Sequence, residues 1–250
     1  VIGIDLDQGP NEDMHRTPGE EGVAFCMTEE QIARLAALVD YAFHTHEHGD
    51  HLDYQITKAL VERDKTVIGT EGIRALWAEE PWAQSILTPP QTLGRGEKIG
   101  TLTVNVLRDH QWSDEAHTRG TENNAYLIAV PEGFSVFTKG DTNCGLRLYG
   151  WLQLLAEKGC AVDVMVGSAI YWRGPGIARQ IDVLYAPLVL PGHAWEFGHR
   201  PDGEARGNAM GFWQAGMLVK GAAKQGGVTP LSWGEFIDIP EPRNSKKAGL

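Results

Sequence analysis

The run Phe43-His44-Thr45-His46-Glu47-His48-Gly49-Asp50-His51 constrains this chain more than any other stretch. Within it, His46, His48, Asp50 and His51 place three imidazoles and a carboxylate inside six residues. Such groups are costly to bury unless hydrogen bonds or a cation satisfy them. Neutral imidazole nitrogen and carboxylate oxygen are the donors that zinc and neighbouring first-row ions take. In extended backbone, alternate side chains share a face, so His46 and His48 point the same way. A turn at Gly49 then swings Asp50 and His51 towards a second position, and the spacing reads as two adjacent metal sites. The flanks Tyr41, Ala42 and Phe43 are strand-like and apolar, so the fold must deliver this cluster at the end of a buried strand. His44 lies two residues before His46 and reads as a structural or supporting histidine.

Two metals need more donors than this run supplies. Loops at the ends of strands in a rigid scaffold are where such groups are expected. His110 closes the strand pattern Thr101 to His110. Asp141 follows the strand ending Phe137-Thr138 and a glycine, in Lys139-Gly140-Asp141-Thr142. His193 follows Leu188-Val-Leu-Pro-Gly192. His117 competes with His110 and His199 with His193, and the residues nearest the strand termini are preferred. Trp112, Asn143, Trp172, Arg173 and Trp195 lie close to these strand ends and are the candidate substrate-facing residues, with Trp112 and Trp195 foremost because each follows its metal candidate by two residues.

The 250 residues are 42% hydrophobic and 22% charged, which suits one large domain spanning residues 1–250. The formal net charge of −11 and the lack of a basic face argue against nucleic acid and anionic membranes as partners. No apolar run approaches membrane-spanning length. Three scattered cysteines, Cys26, Cys144 and Cys160, imply no disulfide framework and suit a cytoplasmic location. Cys144 has no activating neighbour in the sequence and reads as packing. A homodimer is the assembly that the eight tryptophans suggest. The sequence opens on Val1 rather than Met, and its natural N-terminal segment is expected to be missing.

Strand and helix patterns alternate along the chain. Val1–Leu6 reads as a buried strand and Asp7–Gly22 as a long loop. Thr28 and Gln31 form a capping box ahead of Ile32, Leu35, Ala36 and Val39 at helical spacing. A strand Tyr41–His44 delivers the histidine cluster, and Asp53 caps a second helix carrying Ile56, Ala59 and Leu60. A strand Lys65–Gly69 and a helix Thr70–Ala78 follow. Leu102, Val104 and Val106 alternate with polar residues and predict a half-buried strand. Ala125–Val130 and Phe134–Thr138 pair about a Pro131-Glu132-Gly133 turn. Helix Leu146–Lys158, strand Ala161–Val166, helix Ile177–Ile181, strand Leu184–Leu190 and helix Asn208–Lys224 complete an α/β architecture. The stretch Thr92-Leu-Gly-Arg-Gly-Glu-Lys-Ile-Gly100 is too loosely patterned for a phosphate-binding loop.

Taken in order, His46-x-His48-x-Asp50-His51, His110, Gly140-Asp141-Thr142 and Pro191-Gly192-His193 resemble the metallo-β-lactamase superfamily over nearly the whole chain, with Asp5 similar to its early strand-end aspartate. The resemblance implies a four-layer αβ/βα sandwich, with two mixed β-sheets and helices on the outer faces, and a hairpin preceding Val1. It also implies His46, His48 and His110 on one metal, Asp50, His51 and His193 on the second, and Asp141 bridging. Asn123-Asn124-Ala125-Tyr126 is similar to the branch containing sugar-phosphate lactonases. Leu52-Asp53 replaces the Gly-Gly of the glyoxalase II type, against a glutathione thioester. The acidic surface argues against the RNA-processing branch.

The expected activity is metal-dependent hydrolysis of a small molecule, an ester, lactone or similar, with one or two Zn2+ ions and with Mn2+ or Fe2+ as substitutes. Paired cations lower the pKa of a shared water towards neutrality, and Asp50 is placed to orient the nucleophile or move its proton. Three alternatives stand beside it: a hydrolytic dehalogenase or other hydrolase of an aromatic compound, if the tryptophans line the pocket; a mononuclear iron oxygenase, because the ligand types overlap; and a non-catalytic metal-binding protein.

Overall fold

The computed structural model describes residues 1–6, 27–49, 51–111, 120–142, 146–168, 188–192 and 227–228. The expected loop Asp7–Gly22 and the helices Ile177–Ile181 and Asn208–Lys224 lie outside the described residues. The chain forms two compact units, Val1–Pro90 with His110–Asn124, and Gln91–Asp109 with Ala125–Leu250.

The first unit is built on three short parallel strands, β1 (Ile2–Ile4), β2 (Tyr41–Phe43) and β3 (Thr66–Ile68), in that order. Their register is Ile2 with Tyr41 and Tyr41 with Thr66. Parallel neighbours cannot be joined by a tight turn, and helices α1 (Glu29–Leu38) and α2 (Tyr54–Val61) lie in the connections. The capping box forms as its residues predict. Gln31 N–H donates to Thr28 Oγ1, and Thr28 N–H donates to Gln31 Oε1. Asp53 caps α2 by accepting from Ile56 N–H. Ile32 and Ala36 of α1 and Ile56 and Leu60 of α2 pack with Ala42 and Val67 in one apolar core. Burial of each such Leu or Ile contributes about 2 kcal/mol. Helix α3 (Glu71–Leu76) starts at Thr70, whose side chain accepts from Ile73 N–H, and a 3-10 turn over Pro81–Ser85 follows.

The second unit carries most of a seven-stranded mixed sheet. Its strands are β4 (Glu97–Ile99), β5 (Leu102–His110), β6 (Glu122–Ala129), β7 (Ser135–Thr138), β8 (Val164–Ser168), β9 (Leu188–Gly192) and β10 (Gly227–Val228), in sheet order β10-β9-β8-β7-β6-β5-β4. The pairs β4–β5 and β6–β7 are antiparallel, and β7 to β10 run parallel. The β6–β7 hairpin turns where expected, with Gly133 at φ 87° and Val130 N–H donating to Phe134 O. The glycine-rich stretch before Gly100 proves to be hairpin: Glu97–Ile99 pairs with β5 and Gly100 takes φ 56°.

Strand β5 departs from its half-buried expectation. Asn105 and Leu107 are buried along with Leu102, Val104 and Val106. Thr92 lies alongside it. Thr92 N–H donates to Val106 O, Val106 N–H donates to Thr92 Oγ1, and the Thr92 hydroxyl donates to Asn105 Oδ1. Helix α4 (Leu146–Glu157) buries Leu148, Trp151, Leu152 and Leu155. The Trp151 indole N–H donates to Thr92 O. Among the described residues, no helix is long and apolar enough to cross a membrane.

Candidate metal centre

In the first unit the site begins where β1 and β2 end. Asp5 adopts φ 46°, a left-handed conformation that aspartate tolerates better than most residues, and its N–H donates to Phe43 O. That turn brings its carboxylate onto the segment after β2. Oδ1 accepts from Thr45 N–H at 2.7 Å, and Oδ2 accepts from the Thr45 hydroxyl at 2.9 Å and from His51 Nδ1–H at 2.9 Å. From the other side, Asn124 N–H donates to Thr45 O, and the Asn124 side-chain amide donates to Gly69 O. Gly49 lies in the bend that follows His48, and His51 N–H donates to His48 O.

His46 and His51 are brought together. Both are buried, their ring centroids lie 4.1 Å apart, and each offers a ligand nitrogen within 4.8 Å of the other. Hydrogen bonding fixes which nitrogen that is. His51 spends Nδ1–H on Asp5, and His46 Nδ1 lies 3.0 Å from the Thr45 hydroxyl, whose own proton goes to Asp5. When neutral, both rings therefore carry the lone pair on Nε2, the arrangement that outer carboxylates impose on metal-ligating histidines. His48 stands with its centroid 4.7 Å from that of His46, and its Nε2 pairs with the Thr121 hydroxyl at 3.2 Å. His110 ends β5 half-buried and is not among the donors gathered within 4.8 Å.

His44 is structural, as expected. It is fully buried, Nδ1–H donates to His51 O at 3.1 Å, and Nε2 accepts from the Thr57 hydroxyl at 3.4 Å. Burial lowers its pKa, which keeps the ring neutral. Burial alone would raise Asp5, but the charge and hydrogen bond of His51, helped by His46 and Thr45 N–H, hold it below the ordinary carboxylate value. Glu47, half-buried between the first two histidines, is pushed up by burial and by the nearby Glu122.

In the second unit Asp141 lies buried just past β7. Gly140 supplies φ 51°, a region open to glycine, and Thr142 N–H closes the turn on Lys139 O. Lys139 is fully buried, and its ammonium donates to Gly140 O at 3.0 Å and to Thr142 O at 3.4 Å, the carbonyls on either side of Asp141. Strand β9 ends at Gly192, immediately before His193. Asp50, Trp112, Asn143, Trp172, Arg173, His193 and Trp195 lie outside the described residues, as do His117 and His199.

Sequence reasoning passed over Thr45, Thr121 and Lys139. Thr45 had a signal, a hydroxyl sandwiched between two histidines of a motif. The lysine had a weaker one, a charge placed between an apolar strand and a glycine.

Two imidazoles with Nδ1 committed and Nε2 bearing the lone pair form a donor set suited to a divalent cation of the zinc or iron class. Neither a protein-family model nor a curated protein matches the sequence. Solved structures do. An isothiocyanate hydrolase from Delia radicum gut bacteria aligns with TM-score 0.60 over 95% of this chain and 92% of its own, at 16% identity. The diiron β-hydroxylase CmlA from Streptomyces venezuelae aligns with TM-score 0.55 over 92% of this chain, at 14% identity, and the match spans 49% of that longer protein. YhfI of Bacillus subtilis, a metallo-β-lactamase fold protein, aligns with TM-score 0.50 over 79% of this chain and 76% of its own, at 11% identity. With its two sheets, its helical connections and a histidine cluster at the end of β2, this chain has the metallo-β-lactamase fold.

Proposed function

We propose that the protein is a metal-dependent hydrolase of a small molecule, in which His46 and His51 are ligands of a divalent metal centre. His48, Asp50, His110, Asp141 and His193 are proposed as its further ligands, shared among one or two ions. The observation that carries this reading is the committed Nδ1 of both His46 and His51, which aims two Nε2 lone pairs from buried rings. Zinc is the proposed metal, and a bound divalent ion supplies Lewis acidity and a water acidified to near neutrality. The chain's own contribution is to hold the histidine rings in one tautomer and to keep their surroundings dry. Asp50 is proposed to orient the nucleophile. The substrate class is an electrophilic carbon centre such as an ester or lactone. The likeness to an isothiocyanate hydrolase adds isothiocyanates to the compounds worth assaying. The three scattered cysteines support a cytoplasmic enzyme.

Metal content per chain, measured by elemental mass spectrometry and followed by a hydrolysis screen of esters, lactones, isothiocyanates and aryl halides, tests the reading. Bound zinc with turnover of one class supports it. A chain that retains no metal after reconstitution, or a zinc-loaded chain inert to every class, sinks it. A second reading is oxygen chemistry at iron, favoured by the likeness to the diiron β-hydroxylase. Bound iron with oxygen consumption on reduction would replace the hydrolase by that reading.

A further inference from the structure

Thr45 occupies a position in the site that neither spacing nor ligand type assigns. Its backbone is tied at both ends, N–H to Asp5 Oδ1 and carbonyl to Asn124 N–H. Its hydroxyl is therefore held rather than free to rotate among partners. That hydroxyl has one proton, and Asp5 Oδ2 at 2.9 Å is a carboxylate that can only accept it. The lone pairs of the same oxygen then face His46 Nδ1 at 3.0 Å, so Nδ1 of His46 must be the nitrogen that carries hydrogen. Asp5 Oδ2 meanwhile accepts directly from Nδ1 of His51. One carboxylate oxygen thus organises both rings, His51 by contact and His46 through a hydroxyl, and the whole arrangement lies in the first unit.

We infer that Thr45 is a positioning residue of the metal centre, relaying the polarity of Asp5 to His46 so that a single carboxylate selects Nε2 as the donor atom of both His46 and His51. The inference rests on the metal-centre reading for its purpose, and on the hydrogen-bond chain alone for its geometry. Replacing the hydroxyl by a methyl removes the link while both backbone bonds remain. A neutral imidazole at position 46 would then be released to either tautomer, and part of the population would present N–H to the metal instead of a lone pair. Serine keeps the oxygen and should keep the effect.

The test has two arms on the full chain. In the first, long-range proton–nitrogen correlation spectra of the 15N-labelled, metal-free protein read the tautomer of His46, assigned with a His46→Gln variant, at a pH above the ordinary imidazole value of about 6.5. Wild type and Thr45→Ser should show hydrogen on Nδ1, and Thr45→Val a mixture. Hydrogen on Nε2 in the wild type overturns the inference without any variant, which covers the case of a Thr45→Val chain that does not fold. In the second arm, competition with a chelating dye reads zinc affinity. Loss of an outer partner of a ligand histidine typically weakens binding about 10- to 100-fold, and Thr45→Val should fall in that range while Thr45→Ser retains wild-type affinity. A folded Thr45→Val with unchanged affinity, or with weakened binding but an unchanged His46 tautomer, overturns the relay. Failure of the wild type itself to bind zinc overturns the metal-centre reading instead, and the tautomer arm still decides whether the hydroxyl couples His46 to Asp5.

Discussion

The loop after β2 and the loop after β7 have the same task, to hold metal-ligand candidates rigidly at a strand end, and they are organised by opposite charges. After β2 the organiser is an anion, Asp5, which accepts from Thr45 N–H, the Thr45 hydroxyl and His51 Nδ1–H. After β7 it is a cation, Lys139, which donates to the carbonyls of Gly140 and Thr142. The difference follows from what each loop presents. Imidazoles need a tautomer chosen as well as a direction, and an acceptor aimed at Nδ1 does both. A carboxylate has no tautomer to choose, so a clamp on the backbone on either side of it suffices. The anionic organiser acts on the ligand rings themselves, whereas these two hydrogen bonds of the cationic one act on main chain.

Mutations at corresponding positions should therefore fail differently. The largest effect is expected from Asp141→Asn, which removes a proposed ligand. Turnover should be abolished and bound metal per chain should fall, while circular dichroism reports an intact fold. An Asp141→Asn chain with full activity would remove Asp141 from the centre. Next is Asp5→Asn. Loss of the common acceptor should weaken zinc binding by about 10- to 100-fold while leaving Asp141's loop untouched, and dye competition reads it directly. Lys139→Met should show the reverse balance. Two charge-assisted hydrogen bonds disappear, so stability should drop by about 2 kcal/mol in urea titration, with metal affinity changing less than in Asp5→Asn. A larger affinity loss from Lys139→Met than from Asp5→Asn would break the proposed division between the loops.

Thr28→Ala serves as a control outside both loops. Loss of the cap should cost about 1 kcal/mol with no change in metal binding. The smallest effect belongs to His44 and appears only towards acid. Its folded pKa is depressed by burial, so the unfolded chain takes up this proton first. Stability of the metal-free protein should hold above the ordinary histidine value of about 6.5 and decline as the pH falls below it. His44→Gln should flatten that part of the decline, as measured by urea midpoints across the range. An unchanged slope would show that His44 is not the responsible group.

Features whose partners lie close along the chain were legible beforehand. The Thr28–Gln31 capping box, the Asp53 cap and the Gly133 turn each involve groups within a few residues, and each forms as read. The histidine motif was legible because its donors lie within six residues, and Asp5 through the resemblance to the early strand-end aspartate of the metallo-β-lactamase superfamily. Thr45, Thr121 and Lys139 were not, although all three now stand beside the candidate ligands. Thr121 meets His48 from 73 residues away. The burial of Lys139 depends on which strands surround β7. The covering of β5 by Thr92 and Trp151 was missed for the same reason, since Trp151 reaches Thr92 O across 59 residues.

By itself the sequence determined the inventory. It set an α/β chain with alternating apolar segments, the helix starts and the hairpin turn. It also placed a cluster of imidazole and carboxylate donors behind a strand, because local backbone preferences and side-chain chemistry are properties of the residues themselves. The tertiary structure alone decided which nitrogen of His46 and His51 carries its proton, which carboxylate organises the rings and which buried cation clamps the Asp141 turn. Those choices rest on hydrogen bonds between residues far apart in the chain. A hydrogen bond forms only within about 3 Å, and only the folded backbone brings such groups that close.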